Sequence, residues 1–154
     1  MIRYGFRRDD LTGETVLALL QHHLDEMNAF SPPENVHAMP AERLRAPDVT
    51  FFSGWDGETL AVVGALKDLG GGRGELKSMR AAPAYRGKGA GRAMLDHLIA
   101  EAQARGMTWL GLETGRPAPF ADAQRLYTAN GFAECAPFGD YVSDEFSLCM
   151  ERHL

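Results

Sequence analysis

The amino-acid sequence predicts an α/β fold in which a mixed, mostly antiparallel central sheet carries flanking helices. Two strand-like apolar runs, 48–55 and 59–67, are separated by Asp56-Gly57, a dipeptide typical of a β-hairpin turn. Downstream of this hairpin, strand-like and helix-like segments alternate towards the C-terminus. Because hairpin strands come first and the alternation follows, the order fits a mixed sheet and not a doubly wound parallel one.

The N-terminal half is expected to contain one long helix and the hairpin. Thr12 is predicted to cap a helix that extends to about residue 28, because apolar residues recur at helical spacing on one face. Pro32 and Pro33 end this helix, and the loop that follows has one helical turn at 41–45. Glycines 70–72 are expected to form a flexible connection. The predicted strands of this half span 2–6, 48–55, 59–67 and 75–81.

The C-terminal half is expected to alternate between helices and strands. A helix is predicted over 90–105, where Met94, Leu98 and Ala102 form an apolar stripe and Gly106 is a C-terminal stop signal. The remaining predicted elements are a strand over 108–114, a helix over 118–130 and two closing strands over 132–136 and 145–152.

Composition is typical of a soluble globular protein, and the chain is expected to form a single domain over 1–154. The net charge of −5 argues against a nucleic-acid partner. Cys135 and Cys149 provide neither a disulfide framework nor metal-ligand spacing, so we expect reduced thiols, a cytoplasmic location and no metal. The charged N-terminus argues against a signal peptide, and no apolar run approaches the ~20 residues of a membrane span.

A glycine-rich basic turn lies between the predicted strand 75–81 and the predicted helix 90–105. This glycine loop reads Arg86-Gly87-Lys88-Gly89-Ala90-Gly91-Arg92. Glycines allow close approach of a ligand to the backbone amides, and a helix N-terminus adds about half a unit of positive charge. The glycine loop therefore predicts a site for a phosphorylated small molecule.

Three phosphate-binding motifs compete for this loop. A Walker A loop requires Gly-Lys followed by Ser or Thr, and no such string occurs in the sequence. A dinucleotide fingerprint that starts at Gly87 would require glycine where Arg92 stands. The loop instead satisfies Arg/Gln-x-x-Gly-x-Gly/Ala, with Arg86, Gly89 and Gly91 at the required spacing.

With this loop, its lead-in 79–85 and the late segment 126–132, the sequence resembles the GNAT superfamily of acyl-CoA-dependent N-acyltransferases. The segment 31–34 (Ser-Pro-Pro-Glu) is similar to one in a subfamily of small bacterial acetyltransferases. The resemblance implies a GNAT-like fold, with strands 75–81 and 108–114 splayed at the coenzyme site. It implies transfer of an acetyl group from acetyl-CoA to a primary amine by direct attack in a ternary complex. The alternative is a non-catalytic acyl-CoA-binding regulatory or sensor module.

The resemblance also implies which residues bind the coenzyme. The backbone of the strand end is expected to pair with the pantetheine arm, as an open strand edge pairs with a peptide. The strand-end residues are Met79, Arg80 and Ala81. The pyrophosphate is expected to lie against Arg86, Gly87, Lys88, Gly89, Ala90, Gly91 and Arg92. Asn130, which follows the late tyrosine, is expected to contact the coenzyme.

Catalytic roles are assigned to two residues. Tyr127 is the predicted general acid, because a phenol near the sulfur is able to protonate the departing thiolate. It shares a helical face with Phe120, so it is expected to point inward. Glu75 is the predicted base for the acceptor amine, since it lies four residues, roughly 13 Å, before Met79 on one strand. Glu113 and a water molecule are its competitors.

The acceptor is expected to be a small-molecule or peptide amine, and the sequence does not identify it. His22, His23 and His37 lie in or near the first helix and the loop after it, where the family forms its acceptor wall. Glu26 and Glu34 are candidates for recognising a cationic acceptor, and Asp140-Tyr141 is expected to line the mouth of the site. Relatives of this kind lead us to expect a homodimer.

Overall fold

A computed structural model of the protein describes residues 2–36 and 39–154. Over these residues a seven-stranded sheet has helices packed on both faces. The strands are β1 (Gly5–Arg8), β2 (Val49–Asp56), β3 (Thr59–Gly70), β4 (Arg73–Ala81), β5 (Trp109–Gly115), β6 (Ala133–Glu134) and β7 (Ser147–His153). The α-helices are α1 (Glu14–Phe30), α2 (Ala41–Leu44), α3 (Ala90–Ala104) and α4 (Ala121–Ala129). Short 3₁₀ turns occupy Pro33–Asn35, Pro83–Tyr85 and Ala118–Phe120.

The strands are arranged in the order β1-β2-β3-β4-β5-β7-β6. All neighbouring pairs are antiparallel except β4 and β5, which are parallel because α3 connects them. This arrangement confirms the predicted mixed, mostly antiparallel sheet.

Two apolar cores lie on opposite faces of the sheet. On one face, α1 packs Val16, Leu19 and Leu20 against β2 and β3. On the other face, α3 packs its apolar stripe against β3, β4 and β5, and Tyr127 of α4 joins this core. We call these the α1 face and the α3 face. Successive side chains along each strand point to opposite faces of the sheet, so neighbouring residues pack in different cores.

Strands β4 and β5 separate after a short stretch of pairing. Their parallel register covers only three pairs, Arg73 with Trp109 to Glu75 with Gly111. Beyond Glu75 both strands continue without pairing to each other, β4 as far as Ala81 and β5 as far as Gly115. The two predicted strands therefore splay apart, and the edge of β4 that faces β5 is open.

A bulge interrupts β4 beside this opening. Val63 of β3 pairs with Arg80, whereas Ala65 pairs with Lys77, so Ser78 and Met79 share one position of the partner strand. Ser78 has a φ of 55°, a left-handed conformation that is uncommon for a residue with a side chain. The bulge redirects the strand where it leaves β5.

Several local predictions are wrong. Thr12 does not cap α1: Gly13 occupies the cap position, and the Thr12 hydroxyl donates to Asp10 Oδ1 at 2.6 Å. The glycines after β3 form a tight turn and not a flexible connection. Gly71 and Gly72 have φ of 63° and 78°, as a two-residue hairpin requires.

Strand ends also differ from the predicted ends. The first strand is Gly5–Arg8 and not 2–6, because pairing with β2 begins at Gly5 opposite Trp55. The predicted strand 132–136 shortens to Ala133–Glu134, and the predicted helix 118–130 begins with a 3₁₀ turn. Within residues 2–36 and 39–154, none of the helices combines the length and apolar character that crossing a bilayer requires.

Candidate active site

The glycine loop connects the 3₁₀ turn Pro83–Tyr85 to α3. Gly87 and Gly89 have φ of 73° and 78°, a left-handed conformation that glycine adopts without steric cost. Gly89 is the residue that caps α3. The Tyr4 hydroxyl donates to the Lys88 carbonyl oxygen at 2.8 Å, which ties this loop to the N-terminal segment.

The first turn of α3 provides donors for an anion. The amides of Ala90, Gly91 and Arg92 have no carbonyl one turn earlier in the helix, and no side chain caps this end. A phosphate oxygen is the kind of group such amides bind. The basic side chains of the loop are solvated, at 56% exposure for Arg86 and 63% for Arg92, and Arg92 lies 3.6 Å from Asp96. The loop therefore presents both backbone amides and partly solvated guanidinium groups.

A cavity of about 180 Å³ opens where β4 and β5 part, and we call it the cleft. The parted strands form its floor, α1 and the segment after it form one wall, and α4 forms the other. Its polar lining includes His23, Glu75, Lys77, Arg80 and Glu113 on the α1 side, Tyr127 on the α4 side and Ser78 in the β4 bulge. The cleft is larger than the ~150 Å³ cavity that admits benzene, so a small acceptor fits.

Tyr127 lines the cleft from α4, on the inward face that its spacing predicted. Its ring contacts Phe132 edge-on at 5.8 Å between centroids. Burial raises the pKa of Tyr127 to about 12, so its hydroxyl is protonated at neutral pH.

Glu75 lies at the point where β4 and β5 part and is almost fully buried. Lys77, two residues on and on the same face, places Nζ 3.1 Å from Glu75 Oε2. The Tyr141 hydroxyl donates to the same carboxylate, and Lys77 Nζ donates to that hydroxyl at 2.7 Å. Burial and the charge of Glu75 raise the pKa of Tyr141 well above its usual value, so it remains a donor.

Glu113 of β5 faces the same side of the cleft. Burial raises the pKa of Glu113 to about 7, although a hydrogen bond from Ser147 and the charge of Lys77 oppose the shift. A carboxylate with this pKa changes protonation near neutral pH, which is the property that a general base needs.

Glu26 of α1 connects the cleft to the glycine loop. Its Oε1 lies 3.3 Å from Arg86 Nη2 and 3.0 Å from His22 Nε2, and its Oε2 pairs with Arg80. Burial raises the pKa of Glu26, but hydrogen bonding and charge from Arg80 outweigh it and the net shift is downward. Glu26 therefore neutralises basic residues of the protein and is not free to bind a cationic acceptor.

The other acceptor-side predictions have mixed outcomes. His23 lines the cleft, and burial lowers the pKa of His23 to about 4, so it is neutral. Glu34 is exposed outside the cleft. Tyr141 lines the cleft but Asp140 does not. His37 lies outside the residues that the structure describes.

Four of the predicted coenzyme residues lie outside the glycine loop, three at the end of β4 and one at the end of α4. Met79 and Arg80 line the cleft, and Ala81 packs beside the α3-face core. Asn130 follows α4, and its side-chain amide donates to the Leu126 carbonyl oxygen at 2.8 Å. Asn130 thus caps the end of its own helix, and its contact with the coenzyme stays a prediction.

The sequence-based prediction missed several residues of the cleft, and three of its polar ones bear on the site. They are Lys77, Ser78 and Asn35, whose Nδ2 donates to Asp144 Oδ2 at 2.8 Å and to Ser147 Oγ at 3.0 Å. Glu75 and Lys77 alternate in a strand that is otherwise central, and charged residues there signal a site. No sequence signal distinguishes Asn35 or Ser78.

Comparison with known proteins agrees with this geometry. Residues 16–132 match the Acetyltransferase (GNAT) family. The chain is 47% identical over 146 residues to the uncharacterized N-acetyltransferase YsnE of Bacillus subtilis, covering 95% of this chain and 97% of YsnE. It is 46% identical over 151 residues to the uncharacterized N-acetyltransferase YedL of Escherichia coli, covering 98% of this chain and 95% of YedL.

A solved structure shows the same architecture. A proposed acyl-CoA N-acyltransferase from Klebsiella pneumoniae aligns with a TM-score of 0.79 at 26% identity, covering 98% of this chain and 97% of that chain. Because the family match spans well over half of the chain and both relatives align over nearly their full length, this protein belongs to the GNAT family and is an acetyltransferase.

Proposed function

We propose that this acetyltransferase uses acetyl-CoA as donor and acetylates a primary amine by direct attack in a ternary complex. One observation carries the proposal. The cleft has a protonated phenol on its α4 side and two carboxylates on its α1 side, and the open edge of β4 lies between them. This arrangement suits a thioester that accepts a nucleophile from one side and releases its sulfur towards the other.

We infer that the coenzyme spans the glycine loop and the open edge of β4. The amides of the first turn of α3 would hold the pyrophosphate, as helix N-termini do. The backbone of Met79–Ala81 would pair with the pantetheine arm, as in strand addition. Rate would come mainly from positioning, with a backbone N–H of the β4 bulge polarising the thioester carbonyl.

The chemical step needs no covalent enzyme intermediate and no metal. The amine nitrogen attacks the carbonyl carbon, a C–N bond forms, and the C–S bond breaks. Glu113 or Glu75 accepts the proton that the amine loses. Tyr127 gives its proton to the departing sulfur, and the products are the acetylated amine and free thiol. Glu75 is already paired with Lys77 and Tyr141, whereas Glu113 has a pKa of about 7, so we favour Glu113 as the proton acceptor.

Acetyl transfer is tested by following free thiol. The purified protein is mixed with acetyl-CoA and a panel of primary amines, and we expect thiol release above the rate without amine for at least one class of acceptor. Mass spectrometry should find the acetyl group on the amine and none on the protein. Thiol release with no acetylated amine, or a stable acetyl-protein adduct, would contradict direct transfer.

We further propose that residues 1–154 act as one cytoplasmic domain, which forms a homodimer and has no nucleic-acid or membrane partner. The net charge of −5 supports the part of this proposal that concerns nucleic acid. Light scattering of the purified protein tests the dimer directly.

A further inference from the structure

Three polar side chains of the cleft have a buried atom without a hydrogen-bond partner in the described structure. These atoms are His23 Nδ1, Ser78 Oγ and Arg80 Nε. Nearly all buried polar groups in folded proteins are hydrogen-bonded, because an unsatisfied one costs free energy. Since all three side chains line the same cleft, a ligand is the natural partner for them.

Arg80 is the strongest of the three groups. Its side chain is only 12% exposed and forms an ion pair with Glu26 through Nη2. Its position opposite Val63 directs it to the α1 face, where His23 also lies. A guanidinium only donates hydrogen bonds, and Glu26 already pairs with Nη2, so what Nε lacks is an oxygen acceptor such as that of a carboxylate.

Arg80 and Arg86 pair with the two oxygens of Glu26, and of these two arginines Arg80 is the one that lines the cleft. The glycine loop lies beyond the end of β4 at the start of α3, whereas Arg80 faces the cleft beside the β4 bulge. Arg80 comes three residues after Lys77, and the bulge lies between them. The two residues are therefore about 7–10 Å apart along the strand. Along the α1 side of the cleft, Glu75 is paired with Lys77, Glu113 lies on the neighbouring strand, and Arg80 follows with Glu26 as its partner.

A zwitterion matches this distribution of charge. Its amine would lie towards Glu113, and its carboxylate would take hydrogen bonds from Arg80 and the neighbouring Ser78 hydroxyl. Met27, Phe30 and Phe146 add apolar surface to the cleft, beside the polar Ser31 and Asn35.

We propose that the acceptor is an amino acid with a free carboxylate and an apolar side chain, and that Arg80 binds the carboxylate. This inference rests on the function proposed above. It makes Arg80 a specificity-determining residue, since a peptide N-terminus or a simple amine has no carboxylate at that position.

The test compares each amino acid with its carboxamide. Leucine and phenylalanine, their carboxamides and their decarboxylated amines are assayed for thiol release at saturating acetyl-CoA. Arg80→Met is expected to lower kcat/KM for the acids by about 10- to 100-fold, and for the carboxamides by less than about 3-fold. The change in the acid-to-amide ratio cancels the different basicities of the two amines. Arg125→Met removes an arginine that is 72% exposed outside the cleft, and it should change neither rate.

Three outcomes would overturn the inference. The first is an equal loss of acid and amide turnover in Arg80→Met. The second is a preference for succinyl-CoA over acetyl-CoA that Arg80→Met abolishes, because it would assign the guanidinium to the acyl donor. The third is equal use of aspartate and leucine, which would contradict the apolar side chain.

Binding separates this inference from the proposed function. Calorimetry measures the affinity of the CoA-bound protein for leucine and leucinamide, which requires no turnover. If leucine binds through its carboxylate but no thiol is released, the role of Arg80 in carboxylate binding is supported. The same result refutes acetyl transfer to amino acids. Release with amines regardless of a carboxylate would refute only the role of Arg80, and neither binding nor release would refute both. If Arg80→Met does not fold, we test the role of Arg80 with Arg80→Lys instead. The acid–amide comparison on the unaltered protein then shows whether a carboxylate is needed.

Discussion

Burial raises the pKa of two side chains of the cleft, Tyr127 and Glu113. Tyr127 holds its proton with a pKa of about 12, whereas Glu113 releases its proton near pH 7. The two residues belong to opposite walls of the cleft. A donor and an acceptor of protons are therefore available on the two sides of one bound substrate.

Replacing Tyr127 by Phe is expected to lower kcat by about 100-fold, because the departing thiolate loses its proton donor. Affinity for coenzyme A should stay nearly unchanged, since the ring and its packing remain. Single-turnover rates and a CoA titration measure the two quantities. An unchanged kcat would show that Tyr127 is not the general acid.

The pH dependence of the reaction should report the ionisation of Glu113. We expect kcat/KM for the acceptor to rise as pH increases through about 7, because only the ionised carboxylate accepts a proton. Glu113→Gln should abolish this rise, and Glu75→Gln, the matched variant, should keep it with a lower plateau. The reverse pattern would make Glu75 the base.

Glu113 should also make the folded protein less stable at higher pH. Its pKa is about 7 when folded against an ordinary 4.5, so the folded state binds more protons between these values. The free energy of unfolding therefore falls as pH rises through this window, by about 3 kcal/mol in total. Urea unfolding should find Glu113→Gln more stable than the original protein at pH 8 and equal to it at pH 4. Equal stability at both values would contradict the raised pKa.

At the scale of elements, the glycine loop and the parted strands depend on special backbone geometry. Gly89 adopts a left-handed conformation that places the free amides of α3 at the end of the loop. Ser78 adopts a left-handed conformation in the β4 bulge. Neither conformation suits most residues with a Cβ atom. These two positions are where small changes of sequence should disturb the site most.

Replacing Gly89 by Ala is expected to cost about 1–2 kcal/mol of stability and to weaken CoA binding. A Cβ atom there meets nothing within 4 Å, so the effect comes from the φ of 78° alone. Gly5→Ala is the matched control, because its Cβ atom is also unobstructed and its φ is not left-handed. Urea unfolding and a CoA titration compare the two variants. Equal effects of both would show that the left-handed turn does not matter.

At the scale of the whole molecule, the sheet holds two cores apart and leaves the cleft between its central strands. The first helix packs on the α1 face, and the α3 face carries the glycine loop and Tyr127. The ion pairs from Glu26 to Arg80 and Arg86 connect these sides. A ligand that fills the cleft should therefore stabilise the whole fold.

Coenzyme binding should be visible as a rise in melting temperature. At a hundredfold its dissociation constant, a ligand adds about 2.7 kcal/mol, which is roughly 5–11 °C for a domain of this size. We expect this shift with acetyl-CoA or CoA and a far smaller one with ATP, measured by calorimetry. No shift with millimolar acetyl-CoA would contradict the coenzyme site.

The sequence predicts best the elements whose signals are local. The helix predicted over 90–105 is observed as Ala90–Ala104, because an apolar stripe, a glycine start and Gly106 all lie within it. The ends of β1 and β6 were predicted poorly, since a strand ends where its partner stops pairing and not where its own pattern changes. Thr12 met the rule for a cap, but its hydroxyl bonds to Asp10 instead.

By itself, the sequence determined the fold class, the glycine loop and the inward face of Tyr127, because each depends on residues that are close along the chain. Only the tertiary structure decided that β4 and β5 part after Glu75, that Glu113 has a pKa of about 7, and that Arg80 pairs with Glu26. Burial and electrostatic contacts join residues that lie far apart in sequence. No local pattern encodes the environment that such contacts create.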